Sequence, residues 1–292
     1  MRLGFLTDYA EERLRFAQAA GFTCLELRAV PGSALDPTTL DADALARVKE
    51  AFAAHGLAVA ALACYAPNPL EEGQETARAA YFRQVLALAP RLGCPVVAAM
   101  TGATAETIAT GDLAASLPAF RRVWREHAAV AEANGVKIAF EPWPGAHPYP
   151  LRGNIAVSPV AWDMLFDAVP SPALGLEYDP SHLVRLQIDY LAPIGRFADR
   201  IHHVHAKDTI LNEDVRREAG TIGPGWWRYA LPPRGVVDWT AFFAALRTIG
   251  YTGDVNIEHE DSDFGFPAVR AGGKFDEGLR LAQHFLAQFV HE

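Results

Sequence analysis

Short apolar runs alternate with longer amphipathic stretches from one end of the chain to the other. The apolar runs predict strands over Leu3–Thr7, Thr23–Arg28, Leu57–Cys64 and Pro95–Met100 in the first half. In the second half they predict strands over Val136–Glu141, Ala173–Asp179, Arg200–Lys207 and Asp254–Glu258. Between them, apolar positions recur at helical spacing, which predicts helices over Glu11–Ala20, Leu40–His55, Glu75–Leu92 and Ala114–Asn134. The same spacing continues over Pro159–Ala168, Leu186–Phe197, Trp239–Ile249 and Phe275–His291. Several of these stretches run into a glycine suited to a left-handed helix end: Gly21, Gly56, Gly93, Gly135 and Gly250.

Eight strand-then-helix units over 292 residues predict an α/β fold, a single (β/α)8 TIM barrel occupying residues 1–292 as one domain. A doubly wound sheet is the rival fold. It would carry a glycine-rich phosphate loop after its first strand, and the LTDYAEE that begins at Leu6 is no such loop. The long connection at about 208–237 shows no clear periodicity and is read as an active-site loop.

Active sites of such barrels lie at the C-terminal ends of the strands, so the residue on which each strand ends carries most information. The fifth strand ends on Glu141, the sixth on Asp179 with His182 three residues beyond, and the eighth on Glu258. The seventh, IHHVHAKD, carries His202, His203, His205 and Lys207. Successive side chains on a strand alternate between the barrel interior and the helix layer. With Glu141, Asp179 and Glu258 inward, Phe140, Tyr178 and Ile257 face the helices, as apolar residues should. On the seventh strand, placing His203, His205 and Lys207 inward leaves Val204 to the helix layer and gives the imidazoles polar company. His202 then points outward near the start of its strand, partly solvated.

Three carboxylates converging without a cation would repel one another, and a divalent ion removes that conflict. Glu141, Asp179, His205 and Glu258 therefore form a candidate metal site. Oxygen ligands with one imidazole favour Mn²⁺, with Mg²⁺, Co²⁺ and Zn²⁺ as alternatives. The same parity turns Glu177, His203 and Asn256 inward below this layer, as a shell that orients the ligands. Glu26, at the end of the second strand, is either a substrate contact or a loop cap.

Charge and composition narrow the partners. Half of the chain is hydrophobic and the formal net charge is -9, without a run of Lys or Arg. Nucleic acid is therefore not expected as a partner. No window is long and apolar enough for a membrane span, and MRLGFLTD lacks the apolar core of a signal peptide, so a cytoplasmic protein is expected. The scattered Cys24, Cys64 and Cys94 lack metal or redox spacing and read as small buried hydrophobes. Homo-oligomerisation is left open.

The runs FEP at Phe140, EYDPSHL at Glu177, IHHVHAKD at Ile201 and IEHED at Ile257 resemble the xylose-isomerase-like sugar phosphate isomerase/epimerase family, in an order and spacing that cover nearly the whole chain. The resemblance implies that Glu141, Asp179, His205 and Glu258 bind one divalent metal ion. It also implies that Glu141 and Glu258 are the catalytic acid/base pair, and that His182 contacts substrate oxygens. The expected function is that of a metal-dependent sugar or keto-sugar isomerase or epimerase, working by α-proton abstraction through a metal-stabilised enediolate. Ketose 3-epimerases of the family carry a glutamate where this chain has His147 and an arginine where it has Leu211, so substrate recognition is expected to differ. Candidate substrate contacts here are Lys207 (pairing with substrate or with Asp208), Trp143, His147, Trp226, Trp227 and Arg228.

Three alternatives have other outcomes. If a β-leaving group is present, the same proton abstraction makes the enzyme a lyase or dehydratase. An abasic-site endonuclease of related pattern needs further early-strand histidines, where strands here end LACY and VAAM. A non-catalytic sugar-binding barrel would have no reason to carry the full ligand set. Arg270, Lys274 and nearby glycines are only a weak phosphate signal, so a non-phosphorylated substrate is preferred.

Overall fold

The computed structural model describes residues 1–65, 68–145 and 153–290. Eight parallel strands close into a barrel: β1 (Leu3–Thr7), β2 (Cys24–Arg28), β3 (Ala58–Cys64), β4 (Val96–Ala99), β5 (Lys137–Phe140), β6 (Leu174–Tyr178), β7 (Ile201–Ala206) and β10 (Val255–Ile257). Each neighbours the next barrel strand in sequence, and β10 closes the ring against β1. The fold is therefore the α/β TIM barrel that the alternating pattern predicts. A separate antiparallel pair, β8 (Asp208–Leu211) with β9 (Trp227–Ala230), stands on the rim.

The helices are α1 (Glu11–Ala20), α2 (Ala42–Ala54), α3 (Glu75–Leu88), α4 (Ala105–Thr110), α5 (Leu117–Ala133), α6 (Pro159–Ala168), α7 (Pro180–Arg185), α8 (Ala192–Arg196), α9 (Glu213–Ala219), α10 (Trp239–Thr248) and α11 (Gly273–Val290). Their ends follow local chemistry. Asp41 caps α2 by accepting from the Ala44 N–H, and Asp238 caps α10 by accepting from Ala241. Gly21 ends α1 at φ 82°, a conformation that glycine adopts without a Cβ clash.

The predicted helix over Leu186–Phe197 is reduced to α8. Pro193 lies in its first turn, and the Asp189 carboxylate accepts from Leu191 and Ala192 N–H groups, so the helix starts only there. The stretch 208–237 is more ordered than its lack of periodicity suggests, because β8, α9 and β9 lie within it. His291, the last residue of the predicted final helix, lies outside the described residues.

The apolar layer lies between strands and helices, where Phe140, Tyr178, Val204 and Ile257 are all buried in one continuous cluster. Inside the barrel, Ala61, Val96 and Ala139 make a small separate apolar cluster. Two residues beyond Ala139 on the same face comes Glu141, so the interior turns from apolar to polar towards the strand ends. On the outer part of the wall, Gly175 permits a close approach. A Cβ there would stand 2.2 Å from the Arg200 carbonyl oxygen and 2.3 Å from the His202 ring. His202 is consequently only half-buried-to-solvent as expected, but its ring packs on β6, and burial with Lys137 and Arg200 nearby pulls its pKa down to about 4.

Among the described residues, no helix is long and apolar enough to cross a membrane.

Candidate metal centre and active site

Four consecutive barrel strands deliver the expected residues to one mouth. Glu141 follows β5 directly, Asp179 follows β6, His205 lies in β7 and Glu258 follows β10. One ligand atom from each lies within 4.8 Å of the others, and all but the half-buried Glu258 are buried. The backbone behind Glu141 is pinned by Asn154, whose Nδ2 donates to the carbonyls of Glu141 at 2.7 Å and Trp143 at 3.0 Å. Asp179 also caps α7, its Oδ1 accepting from the Ser181 N–H at 2.7 Å, which leaves Oδ2 turned to the site.

Glu141 Oε2, Asp179 Oδ2 and His205 Nδ1 make no hydrogen bond among the described residues, although the Lys207 ammonium lies 3.3 Å from Asp179 Oδ2, and Glu141 Oε1 meets the His182 ring at 2.6 Å. Such orphaned buried polar groups are costly in a native interior. Nδ1 of His205 stands 3.3 Å from Glu141 Oε2 and 3.4 Å from Glu258 Oε2. Neighbouring ligands on an ion with bonds of about 2.1 Å are separated by about 3 to 3.5 Å, so the set fits a divalent cation. Three carboxylates with one imidazole are a hard, oxygen-rich donor set.

A second buried group lies beneath. Strand register sets Glu177 beside His203 and Asn256 beside His205. Glu26 reaches in from β2, with Oε2 2.7 Å from His205 Nε2 and 3.4 Å from His203 Nε2. Glu177 Oε1 is 3.2 Å from the same His205 nitrogen. The Tyr65 hydroxyl spans the two acids, 2.5 Å from Glu177 and 3.1 Å from Glu26. Glu26 is thus an interior partner of His205 and neither a rim residue nor a cap. Asn256 is buried and accepts from the Cys24 thiol at 3.8 Å.

At the mouth, His182 Nε2 is 2.6 Å from Glu141 Oε1, and its Nδ1 is 2.7 Å from the Tyr229 hydroxyl. Lys207 is fully buried. Its ammonium pairs with Glu258, with Glu260 at 3.1 Å and with Asp179 at 3.3 Å, and it sits 4.4 Å from the centre of the Tyr229 ring. The expected pairing of Lys207 with Asp208 is not formed. Asp208 points the other way and anchors the rim hairpin, accepting from Thr209 and Val237 N–H groups and from the Trp239 indole.

The hairpin also corrects the aromatic reading. On β9, alternation turns Tyr229 to the site and Arg228 away from it, where Arg228 pairs with Asp261 and Asp263. Trp227 packs under the Arg185 guanidinium, 4.1 Å from its ring centre, and Arg185 in turn donates to the Tyr229 hydroxyl at 3.1 Å. Trp226 is buried, with its indole donating to the Thr221 carbonyl rather than opening to the mouth. Trp143 is half-buried beside Glu141, and His147 lies outside the described residues. Tyr65, Arg185 and Glu260 also line the candidate site, and the strand-end argument does not single them out. Tyr65 had one available signal, as the polar residue closing the LACY run.

The electrostatics follow from this crowding. Burial would raise the Glu141 carboxyl, but His182 and His205 outweigh it and bring the pKa down to about 2. Against the same burial, Lys207 and His205 hold Glu258 well below the usual carboxylate range. Burial and the neighbouring Glu26 push Glu177 well up. Lys207 is raised well above an ordinary lysine, since Glu258, Glu260 and Asp179 outweigh its desolvation. Glu141 and Glu258 are thus both shifted towards the ionised form.

The barrel and this arrangement of strand-end residues agree with a match to the description "Xylose isomerase-like TIM barrel" over residues 14–286. The chain belongs to that family. The chain is 25% identical to the uncharacterized protein YfiH of Bacillus subtilis (strain 168), over 89% of this chain and 93% of that one. It is 30% identical to an inosose dehydratase of Geobacillus thermodenitrificans (strain NG80-2), over 42% of this chain and 40% of that one. Among solved structures it is similar to D-psicose 3-epimerase of Clostridium cellulolyticum H10, with TM-score 0.74, 16% identity and 99% of each chain covered. It is also similar to the IolI protein with a bound zinc atom, with TM-score 0.73, 19% identity, and 99% and 98% of the two chains covered. At these identities the structural likeness establishes the fold alone. The proteins it is similar to thus include a D-psicose 3-epimerase, by structure, and an inosose dehydratase, by partial sequence match.

Proposed function

We propose that the chain is a divalent-metal-dependent isomerase or epimerase of a keto-sugar, acting by removal of the proton α to the carbonyl. The observation that carries this reading is the convergence of Glu141, Asp179, His205 and Glu258, whose ligand atoms lie within 4.8 Å of one another. A bound divalent ion, with Mn²⁺ favoured by the oxygen-rich donors, supplies Lewis acidity that polarises the substrate carbonyl.

The remaining chemistry belongs to side chains. Glu141 and Glu258 both stand beside His205 Nδ1, so each has a carboxylate oxygen turned to the same small space. One takes the α-proton, and the other, or the same group, returns one to carbon. His182 and Lys207, held by Tyr229 and Glu260, present N–H groups to substrate hydroxyls. Return of a proton to the original carbon from the opposite face gives epimerisation, and return to its neighbour gives isomerisation. A non-phosphorylated keto-sugar suits a mouth whose buried ammonium is already matched by acids.

One observation favours a second reading. Lys207 is a buried cation in direct contact with Glu258, so a donor for a departing hydroxyl stands next to a base. With a β-hydroxyl on the substrate, the same proton removal would end in dehydration, the reaction named for the inosose dehydratases to which part of this chain is similar. Incubation with a panel of keto-sugars in D₂O separates the two. Deuterium at carbon with the skeleton intact is the result expected for an isomerase or epimerase, and an enone product signals the lyase. No exchange and no product with any keto-sugar tested, in metal-loaded protein, would oppose both.

A further inference from the structure

The two buried groups share one residue, His205, which faces the upper group through Nδ1 and the lower group through Nε2. Either group alone has the composition of a metal site, and ligand-type atoms of Glu26, Glu177, His203 and His205 also lie within 4.8 Å of one another. One imidazole bridging two ions has to give up both ring protons. A choice between the groups is therefore built into the geometry.

Hydrogen bonding makes that choice. In the lower group Glu26 Oε2 has His205 Nε2 at 2.7 Å, Glu26 Oε1 has the Tyr65 hydroxyl at 3.1 Å, and Glu177 Oε2 has the same hydroxyl at 2.5 Å. In the upper group Glu141 Oε2, Asp179 Oδ2 and His205 Nδ1 make no hydrogen bond among the described residues. In the lower group Glu177 Oε1 and His203 Nε2 are unpartnered too, but both Glu26 oxygens are engaged, one by His205 Nε2 and one by the Tyr65 hydroxyl, so the shared imidazole is already committed to Glu26 on that side. A proton on Nε2 is the only one that Glu26 can accept from this ring, and it leaves the Nδ1 lone pair free for a cation.

We infer that Glu26 is the positioning residue of the metal centre, fixing His205 as the Nε2–H tautomer, and that the lower group supports the upper ion without holding one of its own. Resting on the reading of Glu141, Asp179, His205 and Glu258 as the ligand set, it adds a carboxylate–histidine–metal relay whose carboxylate comes from β2, across the barrel from its histidine. Tyr65 is the next link, holding the Glu26 carboxylate from the side opposite His205.

The test uses chelator-stripped full-length protein titrated with Zn²⁺ and with Mn²⁺, ion counting per chain, and ¹⁵N NMR of the Zn²⁺-loaded histidines. One ion per chain is expected, with the His205 proton on Nε2 and the metal-induced shift on Nδ1. Glu26→Met, similar in size but unable to accept, should weaken ion binding ~10- to 100-fold. Glu26→Gln keeps an acceptor oxygen and should recover most of that affinity. Two ions per chain in the wild type, a His205 proton on Nδ1, or wild-type affinity in folded Glu26→Met would each overturn the inference. The ion count and the tautomer are read on the wild type, so they decide the matter even if the methionine variant does not fold. No ion bound at all would sink the ligand-set reading itself, whereas one ion with an unaffected Glu26→Met would sink only the role of Glu26.

Discussion

The Lys207 ammonium donates directly to the Glu258 carboxylate at the centre of the barrel mouth, with Asp179 3.3 Å away on its other side. A fully buried cation thus lies in contact with two residues of the proposed ligand set. The same contact holds Glu258 ionised and competes with an ion for two of its ligands.

Replacing Lys207 by Met should therefore separate binding from turnover. Loss of an aligned donor at the reacting centre is expected to lower kcat by ~10²- to 10³-fold, while affinity for the divalent ion stays equal or rises. Steady-state kinetics on the identified substrate, beside an ion titration, check both halves. A large loss of ion affinity with kcat retained would show that Lys207 supports the ion rather than the reaction.

Tyr229→Phe keeps the ring beneath Lys207 but removes the hydroxyl that joins His182 and Arg185. A buried His182 nitrogen is then left unpaired, which costs about 1–3 kcal/mol. The expected result is a lower urea midpoint and a KM raised several-fold, with the ion count unchanged. An unaltered KM would detach the rim hairpin from substrate binding.

His127 gives a pH prediction away from the site. It is 1% exposed, and burial together with the nearby Arg83 brings its pKa down to about 4. The unfolded chain gains this proton near pH 6.5, so the unfolded state binds more protons between about 6.5 and 4. The neutral imidazole therefore favours folding above that window, and stability falls as pH drops through it. For one such group the loss between pH 6.5 and 5 is about 2 kcal/mol. Urea unfolding of wild type and His127→Phe at both pH values measures it, and the variant should lose less by that amount. Equal losses would place the acid sensitivity in other groups.

Asp208→Ala removes the acceptor that ties the hairpin to Thr209, Val237 and Trp239. Three buried donors lose their partner, so a loss of about 2–4 kcal/mol is expected, with faster amide exchange in β8 and β9 than in the barrel strands. Exchange that rises equally throughout would mean that the hairpin and the barrel open together.

Much of this was legible before any coordinates because strand parity is a strict constraint. Glu141, Asp179, His205 and Glu258 share a face with each other and oppose Phe140, Tyr178, Val204 and Ile257, and a one-residue slip would bury the charged set among helices. The partners of those residues were less legible. Glu26 and His205 are separated by 179 positions, and only barrel closure brings β2 and β7 side chains together. The rim hairpin escaped because β8 begins after a single residue beyond β7, and its pairing strand lies across α9. That pairing also sets which of Arg228 and Tyr229 meets the site, a register that composition does not encode.

The most direct test of the whole account is deuterium exchange from D₂O into a turned-over keto-sugar, measured for metal-stripped, metal-restored and Glu258→Gln protein. Exchange is expected only in the metal-restored wild type, with the stripped protein and Glu258→Gln both lower by at least ~10³-fold. Full-rate exchange in the stripped protein, or in Glu258→Gln, would contradict it.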